Sequence, residues 1–340
     1  MNKDKTQLYI IGNGFDLHHK YHSGLADYGR WLMENHPDIY ASFEEWFDIP
    51  VYDEDDNDQY KEWKNWWSYF EQRLGELSIR QYVEDASFRA FNEAIQAEER
   101  RAYDTYAGER IADTELSNLV TQIKGTFREW IKSLHPGEKC FRLPIEQEAS
   151  VFLTFNYTPT LESIYKIQRE NILYIHGSID SEEYILGHGL SYQEIEENCE
   201  SGDECPDDIS VEEMEEWCNS HSDDFMTEQT KRIAIERMVD LRKDVEQIIE
   251  DNQPFFEKLN KIKTIHIYGF SFSPIDLPYL SAVISMIDLQ SVQWEINFFT
   301  ETDRDNINHF IESENIPKEN VRLIRLTDIQ LDPQLKIPFE

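Results

Sequence analysis

Short runs of apolar residues recur along the chain, and most of them end in a loop that contains glycine or a polar side chain. The first is residues 8–11 (LYII), which stops at Gly12. A continuous apolar run of this length is typical of a strand that is buried on both faces of a parallel sheet. On this pattern we predict strands at residues 8–11, 150–155, 172–175, 184–186, 264–268, 293–299 and 321–326.

Longer segments between these runs carry apolar residues at intervals of three and four, the spacing of one helix face. The segments are 23–47, 60–83 and 88–134. They predict a mostly helical insertion at about 25–135, between the first two strands. A second insertion, at about 191–251, is acidic, low in apolar residues and helical only at 233–249. We expect it to be a solvated excursion. A shorter helix is predicted at 277–288.

Strands that alternate with helices predict a Rossmann-like α/β fold with a mostly parallel sheet. We expect one domain over residues 1–340 that carries the two insertions. In such sheets, ligands bind beyond the carboxyl ends of the strands. The loops that follow the apolar runs are therefore the places where candidate chemistry is expected.

The charge of the chain limits its partners. Lys and Arg number 32 against 68 Asp and Glu, a net charge of −36, so no basic stripe is available and direct nucleic-acid binding is disfavoured. No segment approaches the roughly 18 apolar residues of a membrane span, and the polar N-terminus does not read as a signal peptide. Cys140, Cys199, Cys205 and Cys218 form no dense disulfide framework. We expect a cytoplasmic protein with no membrane partner.

The first loop contains two glycines directly after a buried strand. Its residues are Gly12, Asn13, Gly14, Phe15 and Asp16. Glycines let the backbone turn sharply and approach a ligand, and a helix N-terminus behind them offers N–H groups to a phosphate. The third glycine of the dinucleotide-binding fingerprint is missing, and so is the acidic residue about 20 positions on. A tight turn with Asp16 as a local cap fits the same residues.

Polar and small residues also follow the later strands. They are, in chain order, Asn156, His176, Gly177, His188, Gly269, Ser271 and Asp276. Alone, Asn156 fits an Asx-type helix cap, and His176 fits a structural histidine. An imidazole also titrates near neutral pH and suits a general base. Because the carboxyl ends of parallel strands meet at one edge, we expect these loops to line a single cleft.

This set and order of motifs resembles the bacteriophage abortive infection AbiH family. The matching stretches are 8–17 (LYIIGNGFDL), 154–162 (TFNYTPTLE), 175–178 (IHGS), 186–189 (LGHG) and 268–276 (YGFSFSPID). AbiH-like proteins are in turn similar to SIR2-like, sirtuin-type NAD-binding domains. That likeness implies that Asn156 places the nicotinamide ribose and that His176 acts as the base. It also implies that Gly269 and Ser271 contact the cofactor.

The resemblance implies an anti-phage defence protein that binds NAD and hydrolyses NAD+ to nicotinamide and ADP-ribose. The spacings Cys199-x5-Cys205 and Cys218-x2-His221 lack the paired thiolates of the sirtuin zinc module, so no metal is expected. Three alternatives stay open: a non-catalytic nucleotide sensor that acts through a partner protein, a hydrolase of another substrate such as RNA, and a scaffold whose glycines only form turns. A nucleotide is the expected small-molecule partner, and a homo-oligomer or a phage-derived trigger stays open.

Overall fold

Six parallel strands form one sheet at the centre of the computed structural model, which describes residues 4–96, 106–137, 142–181, 184–199 and 225–329. The strands are β1 (Gln7–Ile11), β2 (Ser150–Thr154), β3 (Ile172–Tyr174), β4 (Thr264–Tyr268), β5 (Gln293–Asn297) and β6 (Val321–Ile324). Their order in the sheet is β3-β2-β1-β4-β5-β6. The predicted α/β fold with a parallel, Rossmann-like sheet is confirmed.

The strand order reverses between β1 and β4, the two central strands. Ile11, the last residue of β1, is level with Thr154 of β2 and with Tyr268 of β4. The loops that follow these three strands therefore leave the sheet at the same height. In sheets with this strand order, the crevice at the reversal is where ligands bind.

Helices cover the sheet, and several of them pack on one another around a core of their own. They are α1 (Asn13–His18), α2 (Leu25–Asn35), α3 (Pro37–Phe47), α4 (Asn57–Ser68), α5 (Phe70–Arg73), α6 (Ile79–Gln96), α7 (Ala107–Ser133), α8 (Thr160–Ser163), α9 (Tyr192–Glu197), α10 (Phe225–Val239), α11 (Val245–Asp251), α12 (Gln253–Phe256), α13 (Leu277–Ser285) and α14 (Glu301–Ser313). Short 3-10 turns join some of them.

Successive residues of β1 point into different cores, as expected for a strand buried on both faces. Leu8 and Ile10 belong to a cluster with α13 and α14, whereas Tyr9 and Ile11 belong to a cluster with β2 and the segment after it. All four are at most 2% exposed. This continuous burial is what made the strand visible as an unbroken apolar run.

Helices α2–α7 and α10 form what we call the helical block, which has its own aromatic core. That core includes Tyr28, Phe43, Trp63, Trp67, Phe70, Phe127 and Trp130. The predicted helix at 23–47 is two helices, because Pro37 starts α3 and His36 leaves helical geometry before it. The predicted segments at 60–83 and 88–134 likewise divide among α4, α5, α6 and α7.

Two expectations about residues 184–251 were wrong. Residues 184–186 do not form a strand; only His188 makes an isolated parallel bridge, with Arg242. The second insertion is not simply a solvated excursion either, because α10 packs on α6 and α7 and buries Ala234, Ile235 and Met238 in the helical block. Residues 200–224, the most acidic part, lie outside the described residues.

None of the helices in the described part of the chain combines the length and the apolar character that a membrane span needs.

Candidate functional site

The loops after β1 and β4 meet backbone to backbone at the point where the strand order reverses. A Cβ on Gly12 would lie 2.5 Å from the carbonyl oxygen of Gly269, and one on Gly14 would lie 2.7 Å from the Cα of Gly269. Gly269 itself has φ +67°, and its Cβ would lie 2.1 Å from the amide nitrogen of Phe15. These three positions therefore require glycine, because no side chain fits between the two loops.

Hydrogen bonds close the same junction. The Gly14 N–H donates to the Gly269 carbonyl at 2.8 Å, and the Phe15 N–H donates to the Gly12 carbonyl at 2.9 Å. The exposed Asn13 side chain pairs with Ser23, donating to its carbonyl at 2.8 Å and accepting from its hydroxyl at 2.6 Å. The loop is thus a tight turn whose N–H groups at Gly14 and Phe15 are used within the protein.

Asp16 and Asn156 tie the first loop to the loop after β2. The Asp16 carboxylate is 1% exposed and accepts hydrogen bonds from the hydroxyls of Thr158 and Thr160. Burial raises its pKa to about 6, although the bonds from Thr158, Thr160 and Asn156 oppose the rise. The Asn156 amide also donates to the Gly12 carbonyl at 3.1 Å. Neither side chain caps a helix, so the helix-cap alternative for both residues was wrong.

A second group of predicted residues lies at the same edge of the sheet, deeper under the helical block. His176 follows β3 and is 3% exposed, with its ring against Phe155, Tyr157 and Tyr279. Its Nε2 lies 3.6 Å from Oδ1 of Asp276, the residue before α13. The structure thus brings His176 and Asp276 together, from loops 100 residues apart in the sequence.

Three buried polar atoms in this group have no hydrogen-bond partner among the described residues: His176 Nε2, Asp276 Oδ1 and the Tyr279 hydroxyl. Buried polar atoms are nearly always paired, so unpaired ones indicate a position where a ligand or water binds. Three of them on neighbouring side chains make this group the strongest candidate site in the described part of the chain.

A buried cation completes the group. Lys243 is 1% exposed, and its Nζ lies 2.9 Å and 3.0 Å from the two carboxylate oxygens of Glu71. It also lies 3.8 Å from Asp276 Oδ1. Burial alone would lower the pKa of Lys243, but the charges of Glu71 and Asp276 outweigh it and raise the pKa, so the amine stays protonated. We call His176, Asp276, Tyr279, Lys243 and Glu71 the buried polar cluster.

The electrostatics of the cluster favour a neutral imidazole beside a carboxylate. Burial, and then the charge of Lys243, lower the pKa of His176 well below its ordinary value. Burial raises the pKa of Asp276 to about 6, against the charge of Lys243, which lowers it. At pH 7 His176 is therefore uncharged with one nitrogen lone pair available, and Asp276 is mostly ionised. The free lone pair of His176 can accept a proton, and the Asp276 carboxylate at 3.6 Å is the charge that would stabilise an imidazolium, against burial and Lys243, which disfavour it.

His188, although it sits in a similar Gly-His-Gly motif, has a structural role. Its Nε2–H donates to the Met238 carbonyl at 3.0 Å, and its Nδ1 accepts from the Leu190 N–H at 3.2 Å. A Cβ on Gly187 would lie 1.8 Å from the Leu241 carbonyl oxygen. Both ring nitrogens are therefore used in holding residues 187–190 against the segment that follows α10.

The remaining predicted residues lie at the edge of the sheet without joining the cluster. Gly177 has φ +82° and donates its N–H to the Tyr174 carbonyl at 3.1 Å, which turns the chain directly after His176. Ser271 is exposed at the rim. The Gly269 N–H donates to Asn297 Oδ1 at 3.2 Å. The contacts described for these residues are with the protein itself, so their role in cofactor binding stays a prediction.

A small cavity with room for about one water molecule lies beside the cluster, between α7 and the loops after β2 and β3. Its lining is Arg128, Ile131, Tyr157, Ser178, Ile179 and Tyr184. Tyr157 separates it from His176, with ring centroids 6.3 Å apart. Sites for complete nucleotides or drug-sized ligands usually enclose about 300–1,000 Å³. The cavity therefore admits no nucleotide ring as it stands.

Whether the cysteines bind a metal ion is not decided by the described residues. Across the residues that the structure describes, no group of three or more His, Cys, Asp and Glu side chains is placed to hold a metal ion. Cys199 is buried and its Sγ donates to the Ile195 carbonyl. Cys140, Cys205, Cys218 and His221 lie outside the described residues. The absence of a metal therefore stays a prediction.

Glu71, Lys243 and Tyr279 were missed in the sequence. Tyr279 follows Asp276 by three positions at the start of a helix, a spacing that places both on one face and could have indicated it. Lys243 stands in a charged Arg-Lys-Asp triplet, the usual pattern of a solvated loop. Nothing in the pattern around Glu71 separates it from its exposed acidic neighbours.

Comparison with known proteins agrees with the motifs. A family model described as "Bacteriophage abortive infection AbiH" matches residues 8–298, a span that includes the glycine junction and the whole buried polar cluster. No curated protein and no solved structure matches the chain. The match covers well over half of the 340 residues, and the chain therefore belongs to the bacteriophage abortive infection AbiH family.

Proposed function

We propose that this AbiH protein binds NAD+ at the carboxyl edge of the sheet and hydrolyses the bond between nicotinamide and ribose, with His176 as general base. The family match identifies an anti-phage protein, and the proposal adds the reaction that this protein catalyses. The observation that carries it is the neutral, buried His176, whose Nε2 is unpartnered and faces Asp276 at 3.6 Å. The SIR2-like resemblance of the motifs, which is part of the proposal, supports NAD+ as the substrate.

The reaction breaks the C–N glycosidic bond and forms a C–O bond from water. Nicotinamide leaves as a neutral molecule because its nitrogen is cationic in NAD+, so no strong general acid is needed. His176 removes a proton from the attacking water, Asp276 stabilises the imidazolium, and the proton then passes to solvent. The products are nicotinamide, ADP-ribose and one proton. General-base assistance of this kind contributes about 10² to 10⁴ in rate.

The other predicted residues have supporting roles in this proposal. The turn at Gly12–Phe15 and the rim residue Ser271 lie where the pyrophosphate would pass, and Asn156 holds that turn through its bond to the Gly12 carbonyl. Tyr157 and Tyr184 would offer aromatic walls to one ring once the small cavity that they line widened. Because this cavity is too small for the whole dinucleotide, binding requires the helical block to move away from the loops after β2 and β3.

One observation favours a second function, a nucleotide sensor without turnover. The Gly14 N–H and the Asn156 amide are already bonded to backbone carbonyls, so the junction is complete without a phosphate. A ligand that opened this junction would shift the position of the helical block and signal to a partner. Binding of NAD+ with no nicotinamide release separates this function from hydrolysis.

The test combines binding and turnover on the purified full chain. Isothermal titration measures NAD+ affinity, and chromatography measures the release of nicotinamide. We expect His176→Gln to keep binding within about threefold and to lower the release rate at least about 100-fold. His266→Gln is the control, since His266 is half-buried and, unlike His176, has a ring nitrogen bonded to Glu295 in mid-strand at 3.1 Å. The proposal would be overturned if the wild type did not bind NAD+, or if His176→Gln released nicotinamide at the wild-type rate.

A further inference from the structure

Lys243 lies where three separate parts of the chain meet. It comes from the loop between α10 and α11, Glu71 comes from α5 of the helical block, and Asp276 precedes α13 of the sheet domain. Its Nζ is within 3.0 Å of both Glu71 oxygens and 3.8 Å from Asp276 Oδ1. A buried ammonium requires such partners, because it has given up its hydration.

Backbone hydrogen bonds to the 187–190 loop fix the position of Lys243. The Lys243 N–H donates to the His188 carbonyl at 2.8 Å, and the His188 N–H donates to the Leu241 carbonyl at 2.9 Å. Gly187 allows the close approach that these bonds require. The Gly-His-Gly motif at 187–189 therefore acts on the cluster indirectly, by placing Lys243.

Glu71 connects this placement to the helical block. One turn after Glu71 and just beyond α5, a Cβ on Gly75 would lie 3.0 Å from the His188 side chain, so the end of this segment packs closely against the 187–190 loop. Glu71 meets Lys243 in the arrangement in which the block is seated on that loop. The helical block thus contributes a charge to the cluster besides covering it.

We propose that Lys243 is a positioning residue that holds the Asp276 carboxylate opposite His176, and that Glu71, which is brought in by the helical block, shares the Lys243 ammonium and so moderates its action on Asp276. When the helical block is seated, the Glu71 carboxylate joins the other charges of the site. The role of Lys243 and Glu71 in catalysis rests on the proposed function, because both residues would act through His176 as the base. The electrostatic arrangement itself can be tested without any turnover.

The two charges act on Asp276 in opposite directions, and this separates a specific effect from general destabilisation. Lys243 lowers the pKa of Asp276, and Glu71 raises it. Lys243 also lowers the pKa of His176. Tyr157 borders the cluster and Tyr279 belongs to it, both as neutral phenols, and Asp244 acts on Tyr279 from the same loop as Lys243.

The experiment titrates His176 and Asp276 by NMR in the full-length protein, using the imidazole and carboxyl carbon shifts. We expect Lys243→Met to raise both pKa values by about one unit, as loss of a charge within 4–6 Å does. Glu71→Gln should lower the pKa of Asp276, and Lys243→Arg should stay close to the wild type. Lys124→Met is the control, since Lys124 bonds the Asp240 carbonyl on the outside of the block.

The pH profile of nicotinamide release provides the second readout. For Lys243→Met, we expect the acidic limb of kcat/KM to move up by about one pH unit, with KM changed less than threefold. Unchanged titrations, or shifts of Asp276 in the same direction in Lys243→Met and Glu71→Gln, would reject the arrangement whatever the turnover. If the pKa values shifted as expected but the protein released no nicotinamide, the electrostatic arrangement would be supported and the proposed reaction would be rejected.

Discussion

Replacing Gly269 with alanine tests the close contact between the loops after β1 and β4. The new methyl group would lie 2.1 Å from the Phe15 nitrogen and 2.4 Å from the Gly14 carbonyl carbon, both backbone atoms that cannot rotate away. The residue would also keep φ +67°, which an L side chain rarely adopts. The structure therefore predicts a penalty from two sources that act together.

Each source has a known scale. A left-handed backbone costs an alanine about 1–2 kcal/mol, and overpacking against fixed atoms costs about 1–3 kcal/mol. Together they predict a loss of about 2–5 kcal/mol in the free energy of unfolding, a large part of the roughly 5–15 kcal/mol that is typical of a folded domain.

Equilibrium unfolding in urea measures this loss, and Gly125→Ala is the matched control. Gly125 lies in the middle of α7, and its Cβ would have no neighbour within 4 Å. Alanine there should stabilise the protein by about 0.5–1 kcal/mol, because it removes only the helix penalty of glycine. If Gly269→Ala stayed within about 0.5 kcal/mol of the wild type, the two loops would not pack as described.

Three further substitutions have defined outcomes. Asp16 has a folded pKa of about 6 against 3.8 in the unfolded chain, so its contribution to stability is greatest below about pH 4 and falls by about 3 kcal/mol as pH rises through 6. Asp16→Asn should remove that part of the decline in urea unfolding measured from pH 4 to 7, and an unchanged slope would contradict the assignment. Tyr279→Phe should leave stability equal or up to about 1 kcal/mol higher, because the hydroxyl is unpartnered, and should weaken NAD+ binding about tenfold in isothermal titration; a loss of stability would show that the hydroxyl is bonded. Asn156→Ala should cost about 0.5–1.5 kcal/mol of unfolding free energy, because the Gly12 carbonyl loses one of its two donors and keeps the Phe15 N–H, and no measurable change would count against the Asn156 bond.

The sheet was predictable because its central strands are buried on both faces. The apolar run of β1 reflects this burial directly, and β4 carries a similar pattern. Residues 184–186 have the same apolar character but lie irregularly, since Tyr184 and Leu186 pack into the helical block instead of pairing with a strand. Apolar content alone does not distinguish these two environments.

The site was predictable only in part. His176 and Asp276 could be named because each follows a strand, and the parallel topology then brought them within 3.6 Å. The contact of Gly12 with Gly269 depends on β1 and β4 being neighbours, which no local pattern encodes. Lys243 could not be found, because its burial arises from the docking of α5 and α10, and charged triplets are mostly solvated.

The central claim, that His176 serves NAD+ hydrolysis in defence, is tested most directly in infected cells. NAD+, nicotinamide and ADP-ribose would be measured over time after phage challenge, in cells that carry the wild type, His176→Gln or the His266→Gln control at equal protein levels. We predict that NAD+ falls as nicotinamide and ADP-ribose appear in equal amounts with the wild type and the control, and stays constant with His176→Gln, which also loses protection. Protection by the wild type with constant NAD+, or equal depletion by His176→Gln, would contradict the claim.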